Sequence, residues 1–332
     1  MKNFFRGDIS NKFILPSETV IDLSYNWNWH LLRQTPNSTG EWGATRFYEN
    51  RNFSRCDYWV VCEDISAKQS KLCSPENTIL LICEPEGIKT YSQNFLDQFG
   101  LVISCRKDLS HRNIIYGQTA LHWHIGWNFK RSTFEKYPYS LNYDLLKSQK
   151  PIQKTKILSI ISSDKRSKKG HQQRFDFVEY LKQHLDHDVV DFYGRGTNSV
   201  NDKWDALEQY KYHLVIENTS DEHYWTEKLS DAFLAECYPI YYGCKNIYDY
   251  FDENMLTTIN IADYEDSLTT ILDILDSNKF ENSYADILKA KHKCLDEYNL
   301  FPMIIDVINK FSNYTRKKIP SVTTLHPQNS FK

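Results

Sequence analysis

Five positively charged side chains lie in and just after one polar loop, which directly follows a short apolar segment at residues 157–161. The cations are Lys165, Arg166, Lys168, Lys169 and Arg174. Positive charge between the end of a strand and the start of a helix is suited to neutralising a pyrophosphate, because unpaired N–H groups at a helix N-terminus also attract anions. On charge alone, however, a solvated run of charges is the favoured interpretation.

A second group of polar residues surrounds the start of another predicted helix. Glu217 and Asn218 follow an apolar strand, and Tyr224 comes shortly before a Thr-Glu-Lys triplet. Thr226 is a good N-cap, and a glutamate in the first helical turn suits the helix dipole. Lys228 in the same turn opposes that dipole, which makes sense if an anionic ligand binds there.

Two carboxylates in the first half of the chain also stand at the end of a predicted strand. Glu84 and Glu86 flank Pro85, directly after the apolar segment 78–83. A carboxylate that stays ionised within hydrogen-bond reach of a hydroxyl can act as a general base. A pair of solvated strand-end carboxylates is the alternative interpretation.

The segments that must position these groups alternate between buried strands and helices. Seven apolar segments are predicted as strands: 58–62, 78–83, 101–105, 157–161, 189–193, 213–216 and 239–242. We expect helices at 174–185, 204–210, 226–237 and 284–311. This alternation predicts an α/β fold with two doubly wound, Rossmann-like domains that face each other across a cleft.

Length and composition restrict the class of protein. At 332 residues the chain is long enough for two domains, which we expect at 1–150 and 151–332, divided at the polar stretch 148–156. Forty Lys and Arg against 43 Asp and Glu give a formal net charge of −3, which argues against a nucleic-acid partner. No segment has the apolar length of a signal peptide or a membrane span, so we expect a cytoplasmic protein. Eight cysteines without a C-x-x-C pair predict buried free thiols.

Aromatic residues are unusually frequent, at 14% of the chain. Their faces can stack on sugars, but they also fill cores. Trp27, Trp29, Trp123 and Trp127 all fall in the predicted first domain. The run His122-Trp123-His124 is interpreted as a packed edge segment, because two histidines at i and i+2 make a weak zinc motif.

Taken together, these motifs resemble the nucleotide-sugar site of glycosyltransferase family 10, the α-1,3/1,4-fucosyltransferases. The specific part is the block from Glu217-Asn-Thr to Tyr224-x-Thr-Glu-Lys228, followed by a Pro-Ile-Tyr-Tyr strand that ends at Gly243. Residues 170–181 resemble the arginine-bearing segment of the family. Residues 82–85 and 99–117 resemble segments of its acceptor domain.

The resemblance implies a GT-B fold and inverting transfer of fucose from GDP-fucose to a glycan hydroxyl, for example on bacterial lipopolysaccharide, O-antigen or another surface glycan. It implies GDP-fucose as co-substrate, with no cofactor and no metal. Arg174 and Lys228 match the cations that hold the donor diphosphate. Glu227 matches the carboxylate that accepts hydrogen bonds from donor hydroxyls, and Asn218 and Tyr224 match neighbouring donor contacts.

Further candidates complete this predicted site. Glu217 and Lys165 are expected near the donor. Glu84 matches the proposed base of the family, and Glu86 is a rival that the local sequence does not separate from it.

Two alternatives stay open at this point. One is a transferase that uses another nucleotide sugar, and the other is a catalytically silent protein that binds glycans or nucleotides. The basic segment 315–318 could also contact an anionic inner membrane leaflet, or it could be an ordinary solubilising terminus.

Overall fold

The computed structural model describes residues 18–119, 122–133, 135, 138–194, 198–312 and 320–331. Its strands are β1 Thr19–Ser24, β2 Glu41–Trp42, β3 Thr45–Glu49, β4 Tyr58–Cys62, β5 Gln69–Leu72, β6 Thr78–Ile82, β7 Leu101–Ser104, β8 Ile114–Tyr116, β9 Lys156–Ile161, β10 Val190–Tyr193, β11 Tyr210–Ile216, β12 Tyr238–Tyr242, β13 Thr257–Thr258 and β14 Val322–Leu325. Its α-helices are α1 Gln93–Leu96, α2 Tyr143–Ser148, α3 Lys169–His184, α4 Glu227–Leu234, α5 Tyr264–Leu275, α6 Lys279–Asp296 and α7 Leu300–Ser312.

The first of two compact units comprises residues 1–121 and 299–332. Its centre is a seven-stranded sheet in the order β2-β3-β1-β4-β6-β7-β8, parallel except where β2 pairs with β3. Strands β4, β6 and β7 are buried along nearly their whole length, as expected of parallel strands covered on both faces. Alternate residues of these strands feed two apolar clusters, one shared with α7 and one that contains Phe95 and Phe99.

The second unit comprises residues 122–298 and contains a five-stranded parallel sheet in the order β10-β9-β11-β12-β13. Phe177, Val178 and Leu181 form the buried face of α3 and pack with residues of β9 and β11. Helix α4 contacts β11, β12 and α6. Because carboxyl ends of parallel strands share one edge of a sheet, the loops after β9, β11 and β12 leave from the same edge.

Two units, each built on a largely parallel, Rossmann-like sheet, confirm the predicted α/β fold. All seven predicted strands are present, with ends within a few residues of those expected. The cleft expected between the two domains stays a prediction.

The division between the units differs from the predicted boundary at residue 150. Residues 122–150 belong to the second unit, where the backbone N–H groups of His124 and Ile125 donate to Asp231. Residues 299–332 return to the first unit, where β14 pairs with β5. We expected Trp123 and Trp127 in the first unit, but both lie in the second. Contacts far apart in sequence set this division, so local composition does not reveal it.

Two predicted helices are shorter in the structure. Only Lys203–Ala206 forms a turn of 3-10 helix, and the alternating aromatic residues from Tyr210 onward extend as β11. Helix α4 ends at Leu234 because Glu236 takes a left-handed conformation, with φ of 59°. A residue in that conformation ends many helices.

Several other expectations have a structural outcome. All eight cysteines are buried and free, which confirms the prediction of buried thiols. Within the described residues, no helix combines the length and the apolarity that a membrane crossing would require. The basic segment 315–318 lies outside the described residues.

Candidate active site

Glu217 anchors the start of helix α4. Its side chain follows β11 and is about 1% exposed. One carboxylate oxygen accepts the backbone N–H of Thr226 at 2.8 Å, and both oxygens lie 2.8 Å from the Thr226 hydroxyl. That hydroxyl accepts the N–H of Lys228 at 3.3 Å, so Thr226 is the N-cap, as predicted. The end of β11 and the first turn of α4 are thereby joined.

Lys228 projects from this turn into a ring of oxygen atoms. Its Nζ lies 2.9 Å from the Thr226 hydroxyl, 3.0 Å from Glu217 Oε2 and 3.4 Å from Glu227 Oε1. Burial lowers the pKa of Lys228, but the two carboxylates outweigh it, so the net shift is upward. The two negative charges offset the unfavourable helix dipole. The side chain remains 24% exposed, which leaves it within reach of a ligand.

Glu227 is a carboxylate among nitrogen atoms. Its Oε1 lies 3.4 Å from Lys228 Nζ, and 3.7 Å from both Lys203 Nζ and His124 Nδ1. Burial alone would raise the pKa of Glu227, yet Lys228, His124 and Lys203 hold it well below the usual range. Glu227 is therefore ionised at neutral pH, and its oxygens are acceptors for a hydroxyl-bearing ligand.

Lys203 forms ion pairs with both Glu227 and Asp231, and sequence reasoning missed Lys203 and Asp231. Asp231 is buried one turn further along α4 and accepts the N–H groups of His124 at 2.9 Å and Ile125 at 3.2 Å. Lys203 donates to the other carboxylate oxygen of Asp231 at 3.1 Å. These bonds bring the histidine-bearing run to α4. Asp231 stands four residues after Glu227 on α4, and this spacing on one helical face was the available signal.

Arg174 lies on the neighbouring helix α3 and is about 6% exposed. Its Nη1 donates to Asn218 Oδ1 at 2.5 Å and its Nη2 to the Ser163 hydroxyl at 2.9 Å. Within the described part of the chain, its buried Nε has no hydrogen-bond partner and no carboxylate forms an ion pair with it. Burial lowers the pKa of Arg174, with a smaller opposing effect of Glu217. A buried guanidinium paired only with neutral oxygens is prepared for an anionic ligand.

The cations of this edge also act together on one histidine. Partial burial lowers the pKa of His171, and the positive charges that lower it further belong to Arg174, Lys165, Lys228 and Lys168. Positive side chains from two helices and one loop therefore lie near one another at this end of the sheet.

The remaining predicted donor residues lie around the same edge. Lys165 is exposed on the loop after β9, and Tyr224 is buried just before α4. Beside Ser163, which binds Arg174, a surface pocket of about 270 Å³ opens between α3 and the ends of β9 and β10. Phe175 lines this pocket and stacks under the Arg166 guanidinium at 3.7 Å.

A close backbone approach joins α3 to the loop after β11. A Cβ atom on Gly170 would lie 1.8 Å from the carbonyl oxygen of Asn218. We expect Gly170→Ala to lower the free energy of unfolding by about 1–3 kcal/mol, because the first turn of α3 must move away from this loop. Urea denaturation measures the change. Gln173→Ala, at an exposed position of the same helix, is the matched control and should leave stability unchanged.

Glu84 and Glu86 belong to the first unit. Both follow β6, but Glu84 is half-buried whereas Glu86 is exposed. The backbone N–H of Glu84 donates to Glu63 at 2.8 Å. Glu63 was not among the predicted site residues, because a carboxylate directly after an apolar run is a common pattern.

Comparisons with known proteins bear on the second unit above all. Residues 151–294 match the family model described as glycosyltransferase family 10 (fucosyltransferase), C-terminal. This segment contains all the predicted donor residues, whereas Glu84 and Glu86 lie outside it.

Two curated relatives and one solved structure are similar to this chain. An α-(1,3)-fucosyltransferase, FucT, of Helicobacter pylori is 33% identical over 27% of this chain and 18% of the relative. A GDP-fucose protein O-fucosyltransferase 3 of Danio rerio is 30% identical over 34% of this chain and 28% of the relative. The matches therefore span less than a third of these relatives. A crystal structure of an α1,3-fucosyltransferase with GDP-fucose aligns over 95% of this chain and 96% of that one, at 16% identity and a TM-score of 0.48.

Proposed function

We propose that this chain transfers fucose from GDP-fucose to a hydroxyl group of a glycan, with inversion at the sugar carbon. The match of residues 151–294 to the C-terminal family model of the fucosyltransferases supports this proposal. The observation that carries the proposal is the Arg174 guanidinium, which is buried and lacks a partner carboxylate among the described residues. Lys228 supplies a second cation at the same edge of the sheet.

The two cations account for the leaving group. As the bond between fucose and the diphosphate breaks, negative charge grows on GDP, and positive groups already in place stabilise that charge. Arg174 is fixed by Asn218 and Ser163, and Lys228 by Glu217 and Thr226. Neither side chain has to reorganise during the reaction. The proposal includes no metal ion, so turnover should persist in the presence of EDTA.

Glu227 accounts for recognition of the sugar. Its carboxylate is ionised at neutral pH because of the surrounding nitrogen atoms. Hydrogen bonds from hydroxyls to an ionised acceptor are stronger than those to a neutral one. We assign Glu227 to the hydroxyls of the fucose.

Glu84 is the proposed general base. The acceptor oxygen attacks the anomeric carbon of fucose, the bond from that carbon to the diphosphate oxygen breaks, and its electron pair leaves with GDP. The proton of the acceptor hydroxyl moves to the Glu84 carboxylate. A single displacement of this kind inverts the configuration. Its half-buried position and the hydrogen bond of its N–H to Glu63 favour Glu84 over the exposed Glu86.

Nucleotide selectivity gives the first test of this function. We expect GDP at about 100 times its Kd to stabilise the fold by about 2.7 kcal/mol, while UDP at the same concentration has no effect. Thermal unfolding with each nucleotide measures the difference. Stabilisation by UDP or UDP-sugars alone would favour a transferase that uses another nucleotide sugar.

Turnover gives the second test and also addresses the acceptor. GDP release from labelled GDP-fucose is followed with water alone, with bacterial surface oligosaccharides and with a folded protein domain. The last arm is included because one relative is named a protein O-fucosyltransferase. The proposed acceptor is the bacterial surface glycan. If the protein binds GDP but releases no GDP from GDP-fucose in any of the three arms, the catalytically silent alternative is favoured.

A further inference from the structure

Glu63 holds an unusual place in the first unit. It directly follows β4, its side chain is about 4% exposed, and its backbone is left-handed with φ of 67°. Few residues other than glycine take this conformation, and it persists where the surrounding structure enforces it. The N–H of Glu63 still donates to the Leu81 carbonyl of β6 at 2.9 Å. The chain therefore turns here while it remains attached to β6.

The carboxylate of Glu63 accepts hydrogen bonds from four donors in the segment after β6. One oxygen accepts the backbone N–H groups of Cys83 and of Glu84, the latter at 2.8 Å. The other oxygen accepts the Tyr91 hydroxyl and the Lys89 ammonium, the latter at 3.2 Å. Both oxygens are occupied and the group is buried, so Glu63 is not itself placed to take a proton from a substrate.

A second side chain holds the same segment further along. Arg106 donates from Nη1 to the Lys89 carbonyl at 2.5 Å, and its other nitrogens bind Asp108. The segment from Cys83 to Tyr91 is therefore held at its start by Glu63, and near its end by both Glu63 and Arg106. Within this frame, the peptide N–H of Glu84 has a fixed direction, and its side chain starts from a fixed Cα.

We propose that Glu63 is a positioning residue for Glu84, an inference that rests on the proposed role of Glu84 as general base. A base must lie within hydrogen-bond reach of the proton that it accepts. A misplacement of about 1 Å caused by a distant substitution can cost about a hundredfold in rate. Glu63 prevents such a displacement by binding the peptide groups on either side of the Cys83 Cα.

The test compares Glu63→Ala, Glu63→Gln and Glu84→Gln by release of GDP from GDP-fucose, with the acceptor that gives the unaltered chain its highest turnover. We expect Glu63→Ala to lower kcat by about a hundredfold, while the Kd for GDP changes by less than about twofold. Glu63→Gln should recover part of the loss, because its amide oxygen can still accept the two backbone N–H groups.

Two further variants distinguish positioning from a loss of stability. Asp22→Asn alters another buried carboxylate of the first unit, which binds Arg51 at 2.9 Å and Lys71 at 3.2 Å. It should lower stability and leave kcat within about threefold. Tyr91→Phe removes one hydroxyl from Glu63 and should lower kcat by a few fold. That variant keeps the test valid if Glu63→Ala does not fold.

The double variant Glu63→Ala/Glu84→Gln gives the decisive comparison. If Glu63 acts through Glu84, adding Glu63→Ala to Glu84→Gln lowers kcat little further, because the base that Glu63 positions is already absent. A folded Glu63→Ala protein with unchanged kcat would overturn the inference, as would equal losses in Glu63→Ala and Asp22→Asn. Full turnover by Glu84→Gln would instead overturn the assignment of the base, and absence of turnover in the unaltered chain would overturn the proposed function.

Discussion

Replacing Lys228 with methionine is expected to weaken both the fold and the binding of GDP. The substitution leaves the buried Glu217 carboxylate with the Thr226 N–H and hydroxyl but without a cation. Removal of one partner from a buried ion pair costs about 3–5 kcal/mol of stability. Loss of a charge-assisted contact to the diphosphate costs about 1.5–3 kcal/mol, or roughly 10- to 150-fold in affinity. Urea denaturation and calorimetric titration with GDP measure the two effects.

A second substitution separates these two effects. In Lys228→Met/Glu217→Gln the buried negative charge is gone, and the amide oxygen can still accept from Thr226. Stability should therefore largely recover, whereas affinity for GDP should stay low. Glu217→Gln alone is the control and should bind GDP nearly as well as the unaltered chain. If the double variant bound GDP normally, Lys228 would have a structural role only.

The stability lost in Lys228→Met should also depend on pH. Burial raises the pKa of Glu217, and Lys228 is the main opposing influence. A carboxyl whose pKa is higher in the folded than in the unfolded chain stabilises the fold when protonated, and that contribution disappears as pH rises. The deficit of Lys228→Met should therefore grow between about pH 5 and pH 8. The double variant has no titrating group at position 217, so its stability deficit should not grow over this pH range.

The strands could be predicted from the sequence because each is a short, continuous apolar run. Residues such as Val60, Leu80 and Val102 lie in parallel strands that are buried on both faces, and this environment leaves a simple pattern. The N-cap role of Thr226 could also be predicted, because an N-cap depends on contacts within one helical turn.

Features that depend on distant contacts could not be read in this way. The second unit begins near residue 122 because His124 and Ile125 bind Asp231, more than a hundred positions later. The chain returns to the first unit after residue 298, where α7 shares an apolar cluster with β1 and β4. The sequence near residues 122 and 298 does not indicate these distant contacts. The polar stretch near residue 150, in contrast, has the composition of a linker and therefore predicts a boundary there.

The same distinction applies within the site. The sequence brought Arg174, Glu227 and Lys228 to attention as separate charges, but it did not show how each charge is held. Asn218 was expected to contact the donor directly, and in the structure it binds Arg174. Glu217 was likewise expected at the donor, and in the structure it is buried beneath Thr226 and Lys228. Both residues thus orient the cations, whatever further contact they make with a ligand.

Replacing Glu84 with glutamine is expected to lower kcat for transfer to a hydroxyl acceptor by about 10²- to 10⁴-fold, the usual contribution of a positioned general base. Affinity for GDP should be unchanged, because we assign the diphosphate to Arg174 and Lys228. The matched control is Glu86→Gln, which makes the same change of charge two residues away at an exposed position. Measurement of kcat and of the Kd for GDP in both variants tests the assignment. A loss confined to Glu86→Gln would transfer the role of base to Glu86.

Azide as the acceptor can show that the loss in Glu84→Gln concerns proton transfer. Azide attacks the anomeric carbon, the bond to the diphosphate breaks, and the electron pair leaves with GDP, with no proton to be removed. A general base gives no advantage to such a nucleophile. The unaltered chain and Glu84→Gln should therefore release GDP at similar rates with azide, although they differ greatly with a glycan. If the variant were equally impaired with azide, Glu84 would act on the shape of the site and not on the proton.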